Sequence, residues 1–201
     1  MVTKFDVPWA GTASGQGTFV CPGCLNDSGE VPGHHVDGSN VAHGYVRFPI
    51  GVITKYDVPG AVGTRTANIN NVGQIIGSWL DANNVSHAYI RDRDGAINSF
   101  DVSGAGTGAG QGTFGANINN FGVAFGYYVD SANVSHGFLR SVRGTFTILD
   151  APGAGTRNLQ GTQGGTNIDS GLVTGNYLDT NYVQHGWLWI SNVSGASLNN
   201  R

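Results

Sequence analysis

Four histidines recur at equivalent places along the chain, and their spacing is the first feature that points to chemistry. Each stands two residues after a valine and just before a small residue and an aromatic one; they are His43, His87, His136 and His185. Imidazole is a common metal ligand, so four copies converging on one axis would form a metal site. An aspartate stands six residues before each histidine and offers the alternative of a hydrogen bond that holds a turn. These aspartates are Asp37, Asp81, Asp130 and Asp179. We favour the structural role, because the histidines fall on a strand away from the centre of the repeat, and we expect no metal.

The two cysteines, Cys21 and Cys24, form a single Cys-x-x-Cys pair. This spacing fits a disulfide, a redox pair or half of a zinc site. A zinc ion would need two more ligands, and His34, His35 or His43 would supply them, since His35 is expected to lie opposite His43. Nothing nearby has the strand-turn-helix context of a thioredoxin motif. The residues alone leave the disulfide, the metal site and free thiols with a reactive Cys24 open.

No established catalytic signature occurs in the chain: it has no G-x-S-x-G elbow, no P-loop, no H-E-x-x-H and no EF-hand loop. Glu30 is the only glutamate, and no sequence spacing pairs it with a second catalytic residue. If the protein is an enzyme, the candidates for catalysis are therefore the irregular polar residues of the first repeat, Cys24, Glu30, His34 and His35.

The composition indicates which elements must position these side chains. The 201 residues include 33 glycines, and this content together with many Asn, Ser and Thr disfavours helices and favours strands joined by tight turns. The hydrophobic fraction of 39% is enough for a packed core. We therefore predict an all-β fold.

The charge distribution excludes two classes of partner. A formal net charge of −3 with ten scattered Lys and Arg provides no basic patch, so neither nucleic acid nor an anionic membrane surface is expected as a partner. No apolar run is long enough to span a bilayer.

Three sequence markers recur in step and define a repeat. The first is Phe-Asp-Val-Pro or a close variant, beginning at Phe5, Tyr56, Phe100 and Leu149, with spacings of 51, 44 and 49 residues. The second is the histidine motif, and the third is an Asx-rich turn that starts at Asn68, Asn117 and Asn167. Three markers at one period are strong evidence for a repeat architecture.

Each repeat contains four short β segments, which is the content of one β-propeller blade. The sequence therefore predicts a small four-bladed β-propeller in a single domain, residues 1–201. Its repeats cover approximately 12–58, 59–102, 107–151 and 156–198. We expect residues 3–7 to supply the missing outer strand of the last repeat, roughly 162–198, and so to close the ring. Asn68, Asn117 and Asn167, with Cys24 in the equivalent place, would then start the innermost strands, where they would satisfy backbone groups or hold water or an ion.

The loops that join each outer strand to the next inner strand are the most informative feature for function. They are rich in Gly, Thr and Gln, and we expect them on the same face as the turns between the second and third strands. Their large side chains combine stacking surface with planar hydrogen-bond donors, as sugar and peptide sites do. These ligand-binding candidates are Trp9, Gln16, Arg65, Gln111, Arg157 and Gln163. The two arginines would favour an anionic ligand.

The markers together resemble those of the extracellular HAF-repeat family of bacteria, named for its His-Ala-Phe signature. The resemblance rests on Phe-Asp-Val-Pro-Gly-Ala, Asn-Ile-Asn-Asn-x-Gly-x-x-x-Gly and Asp-x-x-x-Val-Ser-His-Gly-Phe-Leu, and it covers nearly the whole chain. The first repeat departs most, at residues 21–24 and 30–35. The resemblance implies a secreted β protein and so favours the Cys21–Cys24 disulfide, although the first six residues contain no signal-peptide core.

These observations predict an extracellular binding module that recognises a small polar ligand, such as a glycan, on its loop-lined face. We expect a monomer without a cofactor. The alternative is a hydrolase or lyase that works at the same face with residues of the first repeat. A purely structural module without a small ligand is the third hypothesis.

Overall fold

The chain is all-β, with fifteen strands and no helix in the part that the structure describes. The structure is a computed structural model, and it describes residues 2–21 and 23–190. None of these residues belongs to a helix with the length and apolar character that crossing a membrane requires.

The strands fall into four successive units that follow the sequence repeat. The first unit consists of β1 (Gly17–Val20), β2 (Val31–Val36), β3 (Ala42–Arg47) and β4 (Ile53–Tyr56). The second unit consists of β5 (Gly63–Ile69), β6 (Ile75–Leu80), β7 (Ser86–Arg91) and β8 (Ile97–Phe100). The third unit consists of β9 (Gly112–Ile118), β10 (Ala124–Val129), β11 (Ser135–Arg140) and β12 (Phe146–Leu149). The fourth unit consists of β13 (Gly161–Asn167), β14 (Val173–Leu178) and β15 (Gln184–Trp189).

Within each unit the strands pair with their sequence neighbours in antiparallel order. One parallel bridge, Ser86 to Gly112, joins the second unit to the third, and another, Ser135 to Gly161, joins the third to the fourth. The last three units therefore form one continuous sheet of eleven strands, while the first unit is a separate sheet of four.

Turn chemistry explains why the strands end where they do. The turn between the second and third strands of each unit contains a residue with positive φ: Asn40, Asn84, Asn133 and Tyr182. Asparagine tolerates this backbone region better than other side chains, and three of the four positions use it. The first strand of the second, third and fourth units also contains a bulge, at Ala67, Ala116 and Gly164.

The core lies between neighbouring units, where the face of one unit packs on the face of the next. Tyr56 of the first unit packs with Ile75 and Tyr89 of the second. Ile76 and Ile90 of the second unit pack in turn with Ile118 of the third. The junction between the third and fourth units includes Phe125, Leu139 and Val173. The second and third units thus bury one face against the preceding unit and the other against the following one.

Residues 3–7, expected to pair with the last repeat, form no strand, and no ladder joins them to β15 within residues 2–190. They lie against the first unit, where Val7 is buried and its N–H donates to Thr18 Oγ1 at 2.8 Å. The backbone N–H of Val58, Val102 and Ala151 makes the same bond to Thr64, Thr113 and Thr162. Residues 3–7 therefore stand in the place that an outer strand of a preceding unit would occupy. The end of the predicted last repeat, residues 191–198, lies outside the described residues.

Candidate functional site

The repeated histidines lie between two carboxylates. Nδ1 of His87 is 2.8 Å from Oδ2 of Asp101, and its Nε2 is 3.7 Å from Oδ2 of Asp81. His43 and His136 have the same arrangement, with Asp57 and Asp150 as the Nδ1 partners. His185 has only the turn aspartate, Asp179, among the described residues.

Each histidine ring also stacks on the aromatic ring that faces it across the hairpin. The pairs are His43 with His35, His87 with Trp79, His136 with Tyr128 and His185 with Tyr177. The ring centroids of Trp79 and His87 are 4.4 Å apart. In the first three units two carboxylates and one aromatic ring contact each histidine, so the arrangement holds the hairpin.

The turn aspartates fix the backbone at the same time. Oδ1 of Asp81 accepts hydrogen bonds from the backbone N–H of Asn83 at 2.8 Å and of Val85 at 2.9 Å, and the other three units repeat the pattern. The bond from Val85 is the main reason that the pKa of Asp81 lies below its ordinary value. The pKa values of Asp37 and Asp179 are lowered in the same way, by the bonds from Val41 and Val183.

No group of three or more His, Cys, Asp or Glu side chains that could hold a metal ion occurs in the part of the chain that the structure covers. Each turn aspartate lies beside its histidine, as the six-residue spacing predicts, but only the pairs His43–Asp37 and His185–Asp179 are hydrogen-bonded, both at 3.4 Å. The partners on the other side, Asp57, Asp101 and Asp150, were missed in the sequence analysis. They belong to the Phe-Asp-Val-Pro marker, so the signal was their recurrence in step with the histidines.

Two of the glutamines predicted to bind a ligand stabilise their own loops instead. Oε1 of Gln111 accepts from Gly108 N at 2.9 Å, and its Nε2 donates to Oδ1 of Asn133 at 2.8 Å. Gln16 makes the equivalent bonds, to Ala13 N and to Asn40 Oδ1. Both side chains thus hold their loop against the neighbouring turn.

The other loop candidates are dispersed. Gln163 lies on β13 and not in the loop, and its Nε2 donates to Ser135 Oγ at 3.2 Å. The residue equivalent to Gln111 in the fourth unit is Gln160, whose Oε1 accepts from Arg157 N at 3.0 Å. Trp9 is half exposed beside His35, and Arg157 is exposed on its loop.

The loop candidate Arg65 lies on β5 and lines a cleft of about 340 Å³ between the second and third units. Ser78, Leu80 and Ser86 line it from the second unit, and Phe114 lines it from the third. Ser78 Oγ accepts from Gly115 N at 3.0 Å, and Ser86 Oγ donates to the carbonyl oxygen of Thr113 at 3.1 Å. Each hydroxyl therefore keeps hydrogen-bonding capacity for a ligand.

Arg65 itself is exposed and forms no ion pair with any carboxylate among the described residues. Its positive charge and the burial of His34 together lower the pKa of His34 to about 4, and burial is the larger cause. His34 is therefore neutral near pH 7, and the guanidinium is the cation at this cleft.

The candidates for catalysis in the first unit each interact with different partners. Cys24 forms a disulfide with Cys21. Glu30 is buried, accepts from Asn26 Nδ2 at 2.7 Å and pairs with Arg93 at 3.1 Å. His34 stacks on Phe19.

His35 is the fourth of these candidates. It is fully buried, and neither of its ring nitrogens has a hydrogen-bond partner among the described residues. Burial lowers its pKa. No hydrogen bond joins any two of the four candidates within that part of the chain, so the geometry supplies no assembled catalytic set.

A second cleft, of about 390 Å³, is lined by the Asx-rich turns of the last three units. Hydrogen bonds link the neighbouring turns: Asn70 Nδ2 donates to the carbonyl oxygen of Asn119, and Asn71 N donates to Asn120 Oδ1. Asn119 Nδ2 and Asn120 N repeat these bonds to Ile168 and Asp169. We call this series the carboxamide ladder.

The ring of equivalent asparagines predicted from the sequence is incomplete at the second cleft. The strand registers make Thr166, not Asn167, the counterpart of Asn68 and Asn117. The expected counterpart in the first unit, Cys24, is disulfide-bonded. Asn167 takes the buried position of Ile118, and its Nδ2 donates to the carbonyl oxygen of Val123 at 3.0 Å. The cleft therefore lacks the fourfold set of carboxamides that an axial ion site would use.

Comparison with known proteins supplies no relative: no protein-family model matches the chain, and no curated protein matches its sequence.

Proposed function

We propose that the protein is a binding module for a small polar ligand with a negative charge, such as an acidic sugar of a glycan, and that the ligand occupies the cleft beside Arg65. The observation that carries this proposal is an exposed guanidinium, without an acidic partner among the described residues, at a cleft of about 340 Å³. A guanidinium offers a planar pair of donors that matches a carboxylate.

The remaining walls of the cleft suit a sugar ring. The hydroxyls of Ser78 and Ser86 offer further hydrogen bonds, while Leu80 and Phe114 offer apolar surface. Ligand sites commonly combine apolar walls with a few polar groups that fix orientation.

We extend the proposal to the architecture: the four units are blades of a β-propeller, and residues 3–7 act as the outer strand that β13–β15 lacks. The bond from Val7 to Thr18 supports this role, because the outer-strand ends of the first three units make the same bond. A HAF-repeat relationship and an extracellular location belong to the same proposal. The Cys21–Cys24 disulfide supports the location, since disulfides persist mainly in oxidising compartments.

Isothermal titration with glucuronic acid and with glucose tests the ligand class. We expect glucuronic acid to bind and glucose to bind more weakly. The variant Arg65→Ala should weaken glucuronic acid binding by about tenfold or more, because a hydrogen bond to a charged group contributes about 1.5–3 kcal/mol. Arg157→Ala removes another exposed arginine outside the cleft and should leave the affinity unchanged.

Equal affinities for the acid and the neutral sugar would overturn the proposed role of the charge. A loss of affinity in Arg157→Ala equal to that in Arg65→Ala would place the ligand outside the cleft.

A further inference from the structure

One cross-strand pair of side chains occupies the same position in every unit. The third residue of the first strand lies directly opposite a residue of the second strand, so the two side chains share one face of the sheet. The pairs are Phe19 with His34, Arg65 with Ser78, Phe114 with Tyr127 and Gln163 with Asn176. Four versions of one position can therefore be compared within a single molecule.

In the first and third units, this pair consists of two rings that lie flat on each other. The ring centroids of Phe19 and His34 are 5.1 Å apart, and the angle between the ring planes is 7°. The corresponding values for Phe114 and Tyr127 are 4.8 Å and 6°. In both units, a planar group on the first strand thus carries a parallel ring from the second strand.

The second unit has a planar group on the first strand and a serine in place of the ring. Arg65 provides the planar group, since a guanidinium stacks on aromatic faces as a ring does. Its partner Ser78 has the smallest side chain of the four second-strand residues in this position. Both residues line the cleft of about 340 Å³. The cleft therefore lies where the first and third units place a ring.

The neighbouring residues of the cleft suit the edge of such a ring. Leu80 lies two residues after Ser78, on the same face of β6, and Ser86 lies opposite Leu80 on β7. Leu80 offers apolar contact. The Ser86 hydroxyl donates to the carbonyl oxygen of Thr113, so its own oxygen can accept from a ring hydroxyl. The cleft thus combines a planar cation with an apolar wall and a hydrogen-bond acceptor.

We infer that the ligand of this cleft is an aromatic acid, whose ring stacks on the Arg65 guanidinium over Ser78. The inference rests on the proposed function and narrows it, because it assigns the bound ring to the aromatic class. The charge of the same guanidinium attracts the carboxylate of the ligand. An acidic sugar is a weaker ligand, since its saturated ring has no π-system to face the cation. Ser78 determines the specificity, because its small side chain leaves room for the ring.

Isothermal titration with phenylacetate and cyclohexylacetate tests the ring class. The two acids carry the same charge, and their six-membered rings differ in aromatic character. We expect phenylacetate to bind at least about threefold more tightly, because a guanidinium attracts the face of an aromatic ring. Equal affinities would overturn the inference and leave the proposed role of the negative charge intact.

Neutral phenylacetamide separates the inference from the proposed function. If phenylacetamide binds as tightly as phenylacetate, the role of the negative charge is wrong and the stacked ring stands. If phenylacetate, cyclohexylacetate and glucuronic acid all fail to bind, the proposed function is wrong and the inference falls with it.

The variant Ser78→Tyr tests the position of the ring, because it places a ring of the chain itself on Arg65. We expect it to abolish phenylacetate binding. It should melt no lower than the wild type, since burial of the ring offsets the lost hydrogen bond from Gly115 N to Ser78 Oγ. Ser39→Tyr is the matched control at an exposed serine outside the cleft, and it should bind phenylacetate like the wild type.

Phenylacetate binding by Ser78→Tyr at the affinity of the wild type would overturn the inference. A Ser78→Tyr chain that fails to fold would do so too, because the cleft would then lack room for a ring. Ser78→Ala keeps the room and removes only the hydroxyl, so it should still bind phenylacetate more tightly than cyclohexylacetate. Loss of that preference in Ser78→Ala would show that the serine hydroxyl, and not stacking on Arg65, selects the ring.

Discussion

The repeated histidines connect neighbouring strands through ring stacking and contacts with carboxylates. The ring of His87 stacks on Trp79 and bonds to Asp101 of the segment that follows the fourth strand, so it links three segments of one unit. His185 stacks on Tyr177, but its described carboxylate partner is Asp179 alone, and its side chain is 42% exposed. The two residues therefore form a natural comparison within one molecule.

We predict that His87→Ala lowers the free energy of unfolding by about 1–3 kcal/mol, through lost stacking and one charge-assisted hydrogen bond. His185→Ala should cost less, because its ring is more exposed and has one carboxylate fewer. Urea denaturation of both variants measures the difference. Equal costs would show that the second carboxylate contributes nothing, and elemental analysis should find the metal content of both variants unchanged.

Some residue contacts were readable from the sequence and others were not. Asp81 and His87 are six residues apart across one hairpin, so the turn itself brings them together. Asp101 lies 14 residues from His87, and only the pairing of β7 with β8 places it there. The sequence also could not predict that Arg65 has no acidic partner within residues 2–190, because that depends on how two units pack.

Within each unit, the second strand carries a glycine against which an aromatic side chain packs. At Gly77 a Cβ would collide with the carbonyl oxygen of Arg65 and come within 2.7 Å of the Tyr89 hydroxyl. Gly33 and Gly126 have the same surroundings, with Tyr45 and Phe138 as the aromatic residues. Glycine at this position leaves room for the aromatic ring to lie against the backbone of the second strand.

We predict that Gly77→Ala destabilises the protein by about 1–3 kcal/mol, the cost of overpacking a filled site. Gly38→Ala is the control: a Cβ there would meet nothing, and its change in unfolding free energy should stay within about 0.5 kcal/mol. Thermal denaturation compares the two. A Gly77→Ala variant as stable as the control would mean that Tyr89 moves aside without cost.

The elements themselves followed closely from the sequence. Four strands in each of the first three repeats and the positive φ after the second strand both follow from local rules of turn chemistry. The fourth unit was harder to predict from the sequence, because the bulge in its first strand lies one residue earlier than the bulges in the second and third units. That shift moved Asn167 into a buried position that the Asx marker could not reveal.

At the scale of the whole molecule, the segment before β1 completes the packing of the first unit. Phe5 packs edge-on against the ring of Tyr45, and the Arg47 guanidinium lies 5.0 Å from the centre of the Phe5 ring. Val7 is 2% exposed. The sequence showed this segment to be an outer-strand motif, but which unit it completes depends on contacts that no local pattern encodes.

We predict that deleting residues 2–7 lowers the melting temperature by about 5 °C or more, because burying one Val side chain alone contributes about 1.5–3 kcal/mol. Val2→Ala is the control, since Val2 is fully exposed. Circular dichroism during heating measures both. An unchanged melting temperature after the deletion would show that the segment only rests on the surface.

The carboxamide ladder has a consequence for how the molecule comes apart. Each of its rungs connects adjacent units only, so losing the rungs at Ile168 and Asp169 leaves the one between Asn70 and Asn119 intact. The final unit can therefore fray while the central ones persist, since among the described residues it packs on one neighbouring unit only. Amide hydrogens should exchange with deuterium fastest in β15 and slowest in β6 and β10, because the second and third units are packed on both sides.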